Sequence, residues 1–286
     1  MKLYLVLLFA LAVLPGARVD ADAGVSQRIQ SLSLRIEQNP EHQALRLQRA
    51  LAYLEDNQPD RALFDIQLAE TLGDPIAAAY THGVLLHRQQ NYAAALPYFD
   101  RYLQAYPDHW GALDYRARLL RDIGQNRLAL ADYEALLRLN RNRDPGYYVA
   151  AARLMASLPE RGVNEALALL DNRMAQIGII TTLQRYAIDL EKQRGNYTAA
   201  ITRMATLDEK LRATPQWQLD TAELHLQAAR PHEALLYLAV AREQLQSSRA
   251  TAVQQALWKR AHQLQQEAER AVLNLTDSPP DGAVTR

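Results

Sequence analysis

One feature constrains this chain more than any other: a two-residue pattern that returns at nearly constant spacing along most of its length. An Ala followed by Leu or Ile recurs at intervals of 33, 34, 37, 34 and 34 residues, each time shortly after a polar or glycine-containing turn segment. The pairs begin at Ala62, Ala95, Ala129, Ala166, Ala200 and Ala234. A period in this range indicates a chain built from repeated units that stack on one another.

The composition indicates that these units are helical. The chain has 286 residues, of which 49% are hydrophobic, and only 11 Gly and 12 Pro. Ala, Leu, Arg and Gln are abundant, and all four are good helix formers. Lys plus Arg and Asp plus Glu number 32 each, so there is no net charge to attract nucleic acid or an anionic membrane surface. We therefore expect an all-helical protein that does not bind nucleic acid.

Each unit reads as a first helix with a small residue, a turn, and a second helix opened by the Ala pair. Repeat two shows the full set, in the order Gly83, Asn91-Tyr92, Ala95-Leu96, Phe99 and Pro107. This pattern resembles the tetratricopeptide repeat family, whose units pair a small residue with an Ala and place an aromatic one turn later. The resemblance implies an all-α, α-solenoid fold of about six such helix-turn-helix repeats over residues 40–248.

Both ends of the array need helices that cover its exposed apolar faces. Apolar residues at helical spacing predict an N-terminal capping helix over 24–39, which stops at Asn39-Pro40. A stripe from Val253 to Ala268 predicts a C-terminal capping helix over 249–273. A membrane-lying or coiled-coil helix is the alternative there, because Trp258 stands beside basic residues. Residues 274–286, rich in Pro and Gly, are expected to be disordered.

The N-terminal segment has the layout of a secretory signal. A basic residue precedes an apolar run over 3–14, and small residues follow. We expect cleavage after Ala23, or after Ala21, so that 1–23 is a signal peptide; an uncleaved anchor is the alternative. The chain has no Cys, which excludes a lipid-attached cysteine and disulfides. The prediction is an exported, periplasmic protein with no membrane span after cleavage and monomeric when isolated.

Catalytic and metal-binding patterns are missing from the sequence. The seven His residues form no pair at the spacing of helical metal ligands, and His82 and His87 are five residues apart. There is also no phosphate-binding glycine loop and no Gly-x-Ser-x-Gly motif. We therefore expect no metal, no cofactor and no enzyme, although a site assembled between repeats is left open as a weaker alternative.

The resemblance also implies where a ligand binds, because the first helices of such repeats line a concave groove. The groove positions, carried over by register, are Tyr80, Val84, His87, Arg88, Asp114, Arg118, Arg121, Arg185 and Asp189. The leading hypothesis is an exported scaffold that binds a peptide or protein in this groove, within an envelope assembly. The alternative is an accessory subunit of a polysaccharide-export or cell-wall machine, which the proximity of Tyr80 and Tyr115 to Asp114 keeps open.

Overall fold

The computed structural model describes residues 19–139, 144–246 and 251–277, and every regular element in these ranges is a helix. Neighbouring helices along the chain pack in pairs, as the repeat pattern predicts. The helices are α1 (Val19–Gln38), α2 (Gln43–Glu55), α3 (Pro59–Leu72), α4 (Pro75–Arg88), α5 (Tyr92–Ala105), α6 (Trp110–Asp122), α7 (Asn126–Arg138), α8 (Pro145–Ser157), α9 (Gly162–Ile177), α10 (Thr181–Gln193), α11 (Tyr197–Ala205), α12 (Glu209–Arg212), α13 (Pro215–Gln227), α14 (Pro231–Gln246) and α15 (Ala252–Asp277).

The chain divides after Leu139 into two compact units. The first contains the cap α1 and the helix pairs α2/α3, α4/α5 and α6/α7. The second contains α8/α9, α10/α11 and α13/α14, followed by the cap α15. The short helix α12 lies in the connection between α11 and α13. The six pairs are the six repeats predicted from the sequence.

The ends of the array differ in detail from the expected boundaries. Helix α1 already begins at Val19, ahead of the expected cleavage site, and residues 1–18 of the signal lie outside the described residues. Helix α15 runs to Asp277, so the first four residues of the expected disordered tail are helical. The physical reason is that no helix breaker precedes Pro279. Residues 278–286 lie outside the described residues.

Helix α15 packs with a narrower stripe than expected. Ala261, Leu264 and Ala268 are buried against the last helix pair, as the sequence predicts. Val253, however, is 70% exposed and does not belong to the packed face. It stands in the first turn of α15, just after residues 247–250, which lie outside the described residues.

Close packing within a repeat depends on the small residues that the sequence identifies. In repeat two, a Cβ atom placed on Gly83 would lie 2.9 Å from Cε1 of Phe99, a contact so short that the ring or one of the helices would have to shift. Phe99 itself is fully buried. In repeats one and three, Ala50 and Ala117 are fully buried at the corresponding place. A larger residue at these positions would push the two helices apart.

Each repeat has one residue in the left-handed region of backbone space, at or just before the start of its second helix. These residues, with φ between 56° and 81°, are Asn57, Gln90, Gly124, Gly162, Gly195 and Ala229. Gly162 is the first residue of α9 and stands four residues before its Ala pair, whereas the other five lie in the turn, five residues before theirs. Gly is the residue that adopts this conformation without steric cost. The turn before α9 has four residues where the other turns of this kind have three, at the place where the sequence spacing rises to 37.

Two repeats of the first unit contain a buried ion pair at the same register. Arg116 donates to both carboxylate oxygens of Asp132 at 2.8 and 2.7 Å, and to Asp100 of the preceding repeat at 2.9 Å. Arg49 makes the same bidentate contact with Asp65 at 2.7 and 2.8 Å. Each Arg stands 13 residues before the Ala pair and each Asp stands three after it. Each pair connects the two helices of one repeat. Arg116 also connects repeat three to repeat two through its contact with Asp100.

Candidate functional site

The second unit contains a cavity of about 640 Å³ between its first helices. The other first helices that follow one another within a unit pack directly, as α2 with α4, α4 with α6, and α8 with α10. Helices α10 and α13 make no comparable contact. Helix α11 is short, with nine residues, and the connection that follows it carries Leu207 and α12 to the cavity wall. The gap between α10 and α13 is therefore the place where this unit offers a concave site.

The floor of the cavity is apolar. Ile188, Met204, Leu207 and Leu224 are each at most 6% exposed and belong to one hydrophobic cluster. Trp217 packs against this cluster and remains partly accessible, and its Nε1 donates to the carbonyl oxygen of Met204 at 3.2 Å. That hydrogen bond fixes the indole ring at the edge of the cavity.

The wall formed by α13 and α15 is charged, and its charges are already paired. Arg260 of α15 donates to Asp220 at 2.7 Å and also to Glu223. Gln216 donates to the same oxygen of Asp220 at 2.7 Å. The side chains of Arg260, Gln216, Asp220 and Glu223 thus form a network that connects the C-terminal cap to repeat six. This network holds one side of the cavity in place.

The opposite wall, on α10, presents charges without partners. Arg185 and Asp189 are exposed, Lys192 is partly exposed, and all three line the cavity. Among the described residues none of the three has an ion pair or hydrogen bond from its side chain. Arg185 and Asp189 are two of the groove positions predicted from the sequence. The structure brings them together at the rim of the cavity.

In the first unit, the structure places Tyr80 and His87 among aromatic rings. The ring centroid of Tyr80 lies 4.8 Å from that of His109 and 6.2 Å from that of Tyr115. His87 lies 5.2 Å from Tyr115. Burial raises the pKa of Tyr80 and lowers the pKa of His87. The rings contact one another, which leaves them less surface on which a sugar ring can stack.

One predicted groove residue is corrected by the structure, and a second makes a hydrogen bond to the preceding repeat. Val84 is only 2% exposed, so it belongs to the core and cannot face a ligand. It lies one residue after Gly83, on the side of α4 that packs inside the stack. Arg88 is exposed, but its Nη1 donates to the carbonyl oxygen of Leu54 at 2.8 Å. It therefore caps the last turn of α2.

The remaining predicted residues of repeat three form exposed ion pairs on α6. Asp114 accepts from Arg118 at 2.8 Å, one helical turn away. Arg121 contacts Asp122 at 2.8 Å. These side chains lie near His87, whose pKa they influence less than burial does. They form a mixed-charge surface in the first unit.

Sequence reasoning missed several residues of the cavity. Trp217, Asp220 and Glu223 were not among the predicted groove positions, although α13 is a first helix like α4 and α6. The register gave a signal for Glu223, which stands 11 residues before Ala234, as Arg118 and Asp189 stand 11 before Ala129 and Ala200. Asp220, at 14 residues before Ala234, matches none of the predicted groove positions. Arg260 had no such signal, because it comes from the terminal cap.

Neither a metal-binding cluster nor a membrane-spanning helix occurs in the described ranges. No three His, Asp or Glu side chains come together there in a group that could hold a metal ion. No helix in those ranges combines the length and the apolar character needed to cross a membrane.

Comparison with known proteins identifies the fold. No family model and no curated protein matches the sequence. A tetratricopeptide repeat protein from Parabacteroides merdae aligns with a TM-score of 0.51 at 19% identity, over 87% of this chain and 91% of that one. PilW, described as a widely conserved type IV pilus biogenesis factor, gives 0.52 at 20% identity, over 68% and 88%. Pseudomonas aeruginosa pilF gives 0.52 at 20%, over 72% and 96%. The chain has the tetratricopeptide repeat fold.

Proposed function

We propose that this protein is a noncatalytic scaffold that holds a segment of a partner protein in the cavity of its second unit. The observation that carries the proposal is the cavity between α10 and α13, which combines a buried apolar floor with unpaired charges at its rim. Apolar cavities with a few placed polar groups are the usual form of binding sites. Unpaired rim charges on a rigid helix are free to select among ligands.

The electrostatics of the described residues support a binding role more than a catalytic one. The pKa values of His87, His109 and His225 are all lowered chiefly by burial. None of these three residues lines the cavity. A catalytic site would instead bring perturbed acids and bases together around one cavity. The fold of the neighbours also fits a protein-interaction scaffold.

The proposal includes export, which the apolar run over 3–14 motivates. We expect the mature chain to begin at Gly24, or at Asp22 if the signal is cleaved after Ala21. N-terminal sequencing of the protein purified from an envelope fraction measures this directly. A protein that still begins at Met1 would show that the segment is retained and would refute the cleavage part of the proposal.

The binding part is tested with a rim variant that leaves the core intact. The full chain would be used to capture partners from the native envelope, as wild type and as Arg185→Glu/Asp189→Lys. Both side chains are exposed and have no partners, so the melting temperature should stay the same while the partner is lost. Arg270→Glu, an exposed residue on α15 away from the cavity, is the matched control.

A second variant assigns the site to one unit or the other. Arg118→Glu/Arg121→Glu reverses exposed charges on α6 in the first unit. If this variant loses the partner and the α10 variant keeps it, the binding surface lies in the first unit and the cavity assignment is wrong. If neither variant affects capture, the scaffold does not use its first helices.

A further inference from the structure

We propose that the cavity selects partner segments in which a bulky apolar side chain stands close to a carboxylate. This inference rests on the proposed function and names the chemistry of the partner. It follows from the difference between the two charged walls of the cavity and from the residues of the floor between them.

The charged walls are not equivalent toward a ligand. On the α13 side, an incoming cation would have to displace Arg260 from Asp220, where it is held at 2.7 Å. Displacing an existing partner returns little free energy, because one ion pair replaces another. On the α10 side, Arg185 and Lys192 are unpaired, and a ligand carboxylate meets donors that no protein group occupies. The cavity is therefore biased toward acidic ligands, although its formal charges balance.

Asp189 reduces the positive charge of the α10 wall but does not reverse the preference for acidic ligands. It stands four residues after Arg185 and three before Lys192, so it lies on the same side of α10 as both cations. One unpaired carboxylate between two unpaired cations leaves a net positive wall. A ligand carboxylate thus approaches two donors and a single like charge, whereas a ligand cation finds only one unpaired acceptor.

The floor explains the preference for a large apolar neighbour. Met204 and Trp217 both line the cavity, next to Ile188 and Leu224. Met adapts its shape to the ligand, and Trp offers a large flat surface with its polar atom already satisfied by Met204. At about 640 Å³ the cavity has room for more than one side chain. Burial of a Leu, Phe or Met side chain would supply most of the affinity.

The experiment uses a phage-displayed library of short random peptides, panned against the mature full chain. Selected peptides would be synthesised and titrated while the fluorescence of Trp217 is followed in a Trp110→Phe/Trp258→Phe background. The chain has three Trp residues, so this background leaves Trp217 as the single reporter. We expect selected peptides to carry Asp or Glu beside Leu, Phe, Met or Trp.

Binding of these peptides should weaken about tenfold in Arg185→Gln/Lys192→Gln, the loss expected for two partly exposed charge pairs. Arg270→Gln is the matched control and should bind as the parent does. Melting curves of each variant confirm that the fold is retained.

The other outcomes separate this inference from the proposed function. Basic peptides that bind the cavity and change the Trp217 fluorescence would overturn the acidic preference while leaving the proposed function in place. Acidic and apolar peptides whose affinity is unchanged by Arg185→Gln/Lys192→Gln would place their site elsewhere and refute the inference. If no peptide is enriched, both the inference and peptide binding by this cavity fail.

Discussion

The left-handed residue that five of the six within-repeat turns contain gives a prediction in which one turn serves as the control for another. Gly195 and Ala229 occupy the same place in repeats five and six, with φ of 73° and 56°. The N–H of the next residue, Asn196 or Arg230, donates to the carbonyl five residues back at 2.9 or 2.8 Å. The two turns therefore share one geometry and differ in whether the left-handed residue carries a Cβ atom.

The magnitude follows from opposing effects on the folded and unfolded chain. A Cβ atom in the left-handed region costs about 1–2 kcal/mol, whereas Ala in place of Gly reduces unfolded-state entropy and returns about 0.4–1 kcal/mol. Nothing lies within 4 Å of a Cβ atom built on Gly195, so no clash adds to the cost. We expect Gly195→Ala to lower the free energy of unfolding by about 0.5–1 kcal/mol, and Ala229→Gly to raise it by a similar amount.

Thermal unfolding followed by circular dichroism measures both changes. The expected shifts in melting temperature are about 1–2 °C, downward for Gly195→Ala and upward for Ala229→Gly. The double variant should unfold near the wild-type temperature, because the two turns lie in different repeats and have no shared partner. If Ala229→Gly lowers the melting temperature, or Gly195→Ala leaves it unchanged, the two turns do not share the left-handed conformation and the reasoning is refuted.

Three further predictions concern the core. Gly83→Ala should lower the free energy of unfolding by about 1 kcal/mol in urea titrations, because the contact with Phe99 outweighs the gain in helix propensity. Arg116→Met should cost about 3 kcal/mol by leaving Asp132, 4% exposed, without its partner; the double variant Arg116→Met/Asp132→Leu should recover most of this loss. Burial lowers the pKa of His225, so the unfolded chain takes up the proton first, and the melting temperature should fall as the pH drops below about 6.5. His225→Phe should flatten that pH dependence, and an unchanged slope would contradict the assignment.

Local residue patterns were sufficient to predict the fold. Gly83, Ala95 and Phe99 act within one repeat, so their spacing alone predicts the helix pair that they form. The cavity depends instead on residues that are far apart in the sequence. Trp217 lines it from repeat six and Arg260 from the cap. No pattern within one repeat indicates that these two residues and α10 line the same cavity. The hydrogen bond of Arg88 was not predicted for the same reason, because its partner Leu54 lies in the preceding repeat.

Arg116 and Arg185 show how the same residue type serves two purposes on the first helices of this array. Arg116 is mostly buried and binds Asp132 and Asp100, so its charge is paired inside the protein and stabilises the packing of repeats two and three. Arg185 is exposed and unpaired, and the fold gains nothing from its charge. Substitution should therefore separate the two roles: a change at Arg116 lowers the melting temperature, whereas a change at Arg185 leaves it constant and weakens partner binding. Equal effects of both substitutions on stability would mean that Arg185 has a structural partner. The proposal that the rim of the cavity recognises the partner protein would then be refuted.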